Sequence, residues 1–185
     1  MRQLSILLCS LIGFTLPLMA KDRPFIDEPD NTIREDFSEY EWQEAGVHLP
    51  QGYREEDLQE FHLDDASSRF RYFIDRNSLQ SSKDGVSRFI LVIRSESGVD
   101  NSSYEGIHCG AREFKVYAYG NNQGFKAIPK PVWQRISRSG RENYRNALYE
   151  DLLCNLNTGQ TNPPQAVIRA MQHQGSATHS PFFQD

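Results

Sequence analysis

Cys109 and Cys154 are the residues in this chain best suited to covalent chemistry. Two readings are open for Cys109. It can be a nucleophile, since a thiol with a nearby imidazole forms a reactive thiolate, and His108 is its neighbour. It can instead be one half of a disulfide with Cys154. Adjacent side chains on an extended strand point to opposite faces, so His108 is a poor base for Cys109 if this segment is a strand. A base would then have to come from His48, His62 or His173. The third cysteine, Cys9, lies in an N-terminal apolar run and leaves the count if that run is removed. An even pair in an oxidising compartment joins by default, so the disulfide is expected. Closing that loop would stabilise the fold by roughly 4 kcal/mol on the chain-entropy model.

The candidate ligand-binding residues are Arg88, Arg94, Arg112, Lys115, Tyr117, Tyr119 and Trp133. The four cations suit an anionic partner, and the three aromatics suit a platform for a sugar or another ring. The charge distribution gives this set its context. Residues 21–65 hold 15 acidic and 4 basic side chains, and residues 66–185 hold 10 acidic and 15 basic. Either the acidic arm lies over the protein's own basic face, or the basic face serves an anionic partner such as a surface polysaccharide or lipid head group. Glu105 is expected to pair with Arg112 or Lys115 across a turn rather than act as an active-site acid. His173 and His179 lack a third ligand at metal-binding spacing, so no metal site is expected, and no cofactor motif is present. There is no P-loop, no G-x-S-x-G and no H-E-x-x-H. A net charge of −5 argues against a dedicated nucleic-acid binder.

The elements that must position these residues follow from pattern. Residues 1–20 read as a secretory signal: Arg2, an apolar run from Leu4 to about Leu16, Pro17, then the small exit residue Ala20. The run of about 13 residues is short of the roughly 20 needed to cross a bilayer, so no integral membrane protein is expected. Residues 21–39 form an acidic, flexible lead-in. The centre reads as β, with strands expected at residues 70–75, 86–94, 104–109 and 113–119. Residues 95–103 are expected as a polar loop, and residues 120–124 as a loop tip. In the last strand Phe114, Val116 and Ala118 should share one face, and Lys115, Tyr117 and Tyr119 the other. Ser139-Gly140-Arg141-Glu142 has the pattern of a capping box, and Tyr144, Ala147, Leu148 and Leu152 recur at helical spacing. Cys154 should sit at the margin of that helix's apolar arc. A short helix is expected at residues 165–171, followed by a loose remainder. The expected class is α+β: an antiparallel sheet of about four to five strands packed by a C-terminal helix and disulfide-linked, spanning residues 40–158, with residues 159–185 as a tail.

Trp42, Leu49-Pro50, Phe73-Ile74-Asp75, Asp84-Gly85-Val86, Ser103-Tyr104-Glu105-Gly106-Ile107-His108-Cys109, Lys115-Val116-Tyr117-Ala118 and the final Tyr144, Asp151 and Cys154 occur in that order. This succession resembles the CNP1-like family, named for a cryptic neisserial protein, over about residues 40–155. His108 departs from the Arg expected there. The resemblance implies an exported protein of the Gram-negative envelope, in the periplasm, and implies no reaction and no catalytic residues. The expected function is a non-enzymatic binding or envelope-associated module. The alternative is a cysteine-dependent hydrolase or transpeptidase acting on cell-wall peptides. N-terminal sequencing of the protein recovered from the cell envelope should start near Lys21, and an intact Met1 would contradict export by signal removal.

Overall fold

The computed structural model describes residues 41–63, 68–138 and 143–177. The signal, the lead-in, the capping box at residues 139–142 and His179 lie outside the described residues. The run Phe89-Ile90-Leu91-Val92 governs the architecture. Apolar on both sides and rich in β-branching, it suits a strand covered on both faces, and all four side chains are buried. Around it the chain lays down β1 (Leu58–Phe61), β2 (Phe70–Asp75), β3 (Gln80–Ser81), β4 (Val86–Ser95), β5 (Asp100–His108), β6 (Glu113–Asn121), β7 (Gly124–Ala127) and β8 (Gln134–Arg135). The order is β1-β2-β4-β5-β6-β7, with β3 also on β4 and β8 on β6, and every pairing is antiparallel.

The sheet therefore has eight strands rather than four to five. The four expected strands form its centre. The additional ones are two to four residues long, too short for alternation to show. The expected polar loop at residues 95–103 is also corrected. Its second half, from Asp100, is strand, with Asn101 opposite Ile93 and Ser103 opposite Leu91. Pairing with the strongly β-forming β4 overrides the weak local propensity of Asp, Asn and Ser. In the same way β6 runs to Asn121 and β7 begins at Gly124, so the loop tip is a tight hairpin.

A one-residue bulge on β6 changes the faces. Glu105 pairs with Val116 and Tyr104 with Ala118, leaving Tyr117 as the extra residue. Lys115 and Tyr117 share one face as expected. Beyond the bulge the alternation inverts, so Ala118 joins the face of Tyr104 and Tyr117, and Tyr119 moves to the opposite one. The expected grouping of Tyr119 with Lys115 and Tyr117 is thereby corrected.

Each face has its own core. Phe61, Tyr72, Ile74, Phe89, Leu91, Ile107 and Phe114 pack against the C-terminal elements. Tyr53, Phe73, Ile90, Val92, Tyr104 and Tyr117 pack on the other side with Val47 and Leu58. The C-terminal cover starts with α1 (Asn143–Ala147) and widens into a π-helical turn over Leu148–Leu153. Leu148, Leu152 and Leu153 are all buried there. A wider i→i+5 turn lets both the fourth and fifth residues face inward, which one α-turn does not. The helix ends at Leu153, so Cys154 is not on its arc. It lies in β9 (Cys154–Asn155), paired with β10 (Gln160–Thr161). Pro164 then opens α2 (Pro164–Ala177), where its missing N–H is harmless. This helix is longer than the expected residues 165–171, and buries Val167 and Met171 in the core.

Cys109 and Cys154 are joined by a disulfide, with Cα atoms 5.4 Å apart and a sequence separation of 45. The bridge ties the end of β5 to β9. Replacing both by Ser should lower the unfolding free energy by about 4 kcal/mol in oxidising buffer. Denaturant midpoints should show the wild type losing a similar amount on reduction and the double variant indifferent to reductant. A wild type unaffected by reductant would contradict the bridge.

Candidate ligand-binding site

The face away from the helices carries a row of Arg88 on β4, Gly106 on β5 and Lys115 on β6 at one level of the sheet. Gly106 has a steric reason. A Cβ there would come within 2.6 Å of the Tyr117 hydroxyl oxygen, so only glycine lets the bulged tyrosine lie across β5. Over this row runs residues 42–53, a segment without regular secondary structure. Its Glu44 carboxylate accepts a hydrogen bond from Tyr117 at 2.7 Å and another from Lys115 Nζ. Arg88 Nη2 lies 3.6 Å from the same carboxylate and donates to Asp84 Oδ2 at 2.7 Å. Asp84 also fastens the segment: its Oδ2 accepts from Ala45 N at 2.9 Å, and its carbonyl accepts from Trp42 Nε1 at 2.7 Å.

Aromatic rings wall this set. Trp42 stacks on His108 with centroids 4.3 Å apart, and Trp133 meets Trp42 edge-on at 5.8 Å. Lys115 Nζ sits 4.7 Å from the Trp133 ring centroid, a cation–π contact. Two buried donors here, Arg88 Nε and Trp133 Nε1, meet no acceptor among the described residues.

The ionisation directions follow from this crowding. Burial works against a charge on Glu44, but the bonds from Lys115 and Tyr117 and the charges of Lys115 and Arg88 outweigh it and hold its carboxyl below the usual range. For Asp84, burial is likewise overcome by Arg88 and the backbone donors Ala45 and Val86. Burial raises the Tyr117 phenol, and the Glu44 carboxylate it bonds raises it further. Burial lowers His108, only partly offset by Glu113, Asp84 and Glu44, which favours a neutral ring against Trp42.

The remaining candidates are placed elsewhere. Arg94 donates to Asp100 at 2.7 and 2.9 Å and to Glu55 at 2.7 and 2.8 Å. Arg112 bonds Asn146 and Glu150, the latter at 3.0 Å, beside the Tyr149 ring. All four basic candidates are therefore matched by carboxylates of the same chain. Two of these acids, Glu44 and Glu55, belong to the acidic N-terminal third, which to that extent lies over the basic residues.

Glu105 pairs with neither Arg112 nor Lys115, because it projects to the helix side and Lys115 to the other. Its partner is Arg145 of α1, through bonds of 2.9 and 3.0 Å, with Ser103 Oγ donating at 2.6 Å. The guanidinium lies 3.8 Å from the Phe114 centroid. Glu105 is only 1% exposed, yet it forms the floor of a pocket of about 410 Å³ with Ser103, Tyr144 and Arg145. Asn101 and Tyr119 stand at the margin of this pocket.

A family model described as the CNP1-like family matches residues 37–172. The chain belongs to the CNP1-like family. No match was found among curated proteins or solved structures. Both constellations of this CNP1-like domain fall inside the matched range. Among its described residues no helix is long and apolar enough to cross a membrane.

Four residues of the CNP1-like domain carried too little signal in the sequence to be found there. Glu44 is one acid in a run of many, Asp84 and Trp42 entered only among the residues of the family resemblance, and Arg145 has its partner 40 residues away. Arg145 and Glu105 give the sharpest energetic test. Arg145→Met should cost about 3–5 kcal/mol, because it leaves a buried carboxylate uncompensated. Adding Glu105→Met should restore most of that loss in chemical denaturation. A single variant as stable as the wild type would contradict the pairing.

Proposed function

We propose that this CNP1-like protein is an exported periplasmic binding module without catalytic chemistry. It takes an anionic group of an envelope component at Lys115, Tyr117 and Arg88, in exchange for its own Glu44. The carrying observation is one carboxylate that accepts from both Lys115 and Tyr117 with the Arg88 guanidinium 3.6 Å away, and that belongs to an irregular segment rather than to the sheet. The unmatched donors Arg88 Nε and Trp133 Nε1 fit a ligand with more acceptors than Glu44 offers. Trp42 and Trp133 supply apolar walls for the rest of such a ligand. Arg94 and Arg112, each held by carboxylates, contribute at most to the surrounding field. The N-terminal apolar run supports export. The hydrolase alternative is disfavoured, since the Cys109 sulfur is bonded to Cys154 and His108 projects to the other face of the sheet.

Both tryptophans of the chain are in this site, so indole fluorescence reports on it. The folded carboxyl of Glu44 lies below its unfolded value. Its contribution to holding the segment is complete above the ordinary carboxylate range and is lost as pH falls through the lowered folded value. Wild-type fluorescence should therefore change at acid pH below the usual carboxylate range, and Glu44→Gln should lack that transition. At neutral pH, acetate at constant ionic strength should raise the melting temperature of Glu44→Ala above its value in chloride, and Lys115→Met should abolish the gain. Equal melting in acetate and chloride would count against an anion site.

A further inference from the structure

We propose that the pocket over Glu105 and Arg145, on the opposite face from Lys115, binds a short neutral oligosaccharide. It does not depend on the anion site. The first argument is charge. Every ionic group lining this pocket is already matched: Glu105 by the two bonds from Arg145, and Asp100 by the two from Arg94. A charged ligand would be taken out of water with no counter-charge waiting, which is costly. Hydroxyl groups meet no such penalty. Each both donates and accepts, so it can use the carboxylate lone pair that Arg145 and Ser103 together leave on Glu105, and the amide of Asn101.

The second argument is shape and surface. The floor is polar yet almost dry, with Ser103, Glu105, Tyr144 and Arg145 all less than a tenth exposed. Buried, mutually bonded polar groups are held in place before a ligand arrives, which lowers the entropic cost of binding. At the rim, Tyr119 is 60% exposed, so its ring is open to a ligand. Ile93 adds a half-buried apolar side to the same space. A sugar ring presents hydroxyls at its edge and C–H groups on its face, so it matches a polar floor beside an aromatic wall. A volume of about 410 Å³ lies in the range of small-molecule sites and is too small for a folded partner. The bulge at Tyr117 is what brings Tyr119 to this face.

The test is an amide-resonance titration of the mature protein with maltotriose, cellotriose and tri-N-acetylchitotriose, each at millimolar concentration, with tri-galacturonic acid as the charged comparison. At least one neutral sugar should shift Asn101, Ser103, Tyr119 and Gly120. Tyr119→Ala should weaken that binding by about tenfold while keeping the wild-type melting temperature, because the ring is exposed. Asn101→Ala, also exposed, should weaken it as well. No shift at these positions with any neutral sugar, binding unchanged by Tyr119→Ala, or tighter binding of the charged sugar would overturn the proposal. Resonances of Lys115, Tyr117 and the two indole N–H groups report the anion site separately, so failure at one site is distinguishable from failure at the other.

Discussion

The bulge at Tyr117 decides what each face of this sheet can do. A regular β6 would project Lys115, Tyr117 and Tyr119 together and turn Val116 and Ala118 toward the helices. One extra residue divides that set. Lys115 and Tyr117 stay on the face covered by residues 42–53, and Tyr119 passes to the face that holds Glu105. The bulge also divides the edge of β6. β8 pairs with its start at Glu113 and Phe114, and β7 with its end from Ala118 to Asn121. Between them Ile128 N donates to the bulged Tyr117 carbonyl at 2.8 Å, so the irregular residue keeps a backbone partner. The glycine at position 106 is the other half of the device, since it clears the ground that the Tyr117 ring occupies.

Two ionic clusters sit on the opposite faces of the domain, and they differ in kind. Glu105 and Arg145 are both nearly inaccessible and satisfy each other in a bidentate pair, with Ser103 and Phe114 completing the surroundings. A pair of this sort fixes geometry more than it adds net stability, because the desolvation of both charges offsets much of their attraction. Here it sets where α1 sits on the sheet. The Glu44 cluster is less deeply buried only at the carboxylate itself, which comes from a segment with no ladder of its own. In this cluster cations on the sheet meet an anion on an irregular segment, whereas the Glu105 pair joins a strand to a helix.

Much of the frame was legible in the sequence for simple reasons. The Phe89-Ile90-Leu91-Val92 run had to be central, Phe70 to Asp75 had strand composition, and the even cysteine count led to the bridge between Cys109 and Cys154. The geometry of the sites was less legible. A bulge leaves little trace in hydrophobic alternation, so Tyr119 was assigned to the wrong face. The π-turn follows from two adjacent leucines, Leu152 and Leu153, both buried, and helical periodicity alone placed Cys154 on a helix it does not join. Glu44 and Arg145 were hidden for another reason: their partners, Lys115 and Glu105, are 71 and 40 residues away. Only the packing of the irregular segment and of α1 on the two faces of the sheet brings them together.

The register of β5 against β6 is the most direct test of this account, because both proposed sites depend on it. Backbone nuclear Overhauser contacts across the two strands should connect Tyr104 with Ala118 and Glu105 with Val116, leaving the Tyr117 backbone without a partner on β5 although its ring packs beside Tyr104. Backbone contacts of Tyr104 with Tyr117 and of Ser103 with Ala118 would mean a regular ladder. That result would return Tyr119 to the face of Lys115 and contradict the division of the sheet into two binding faces.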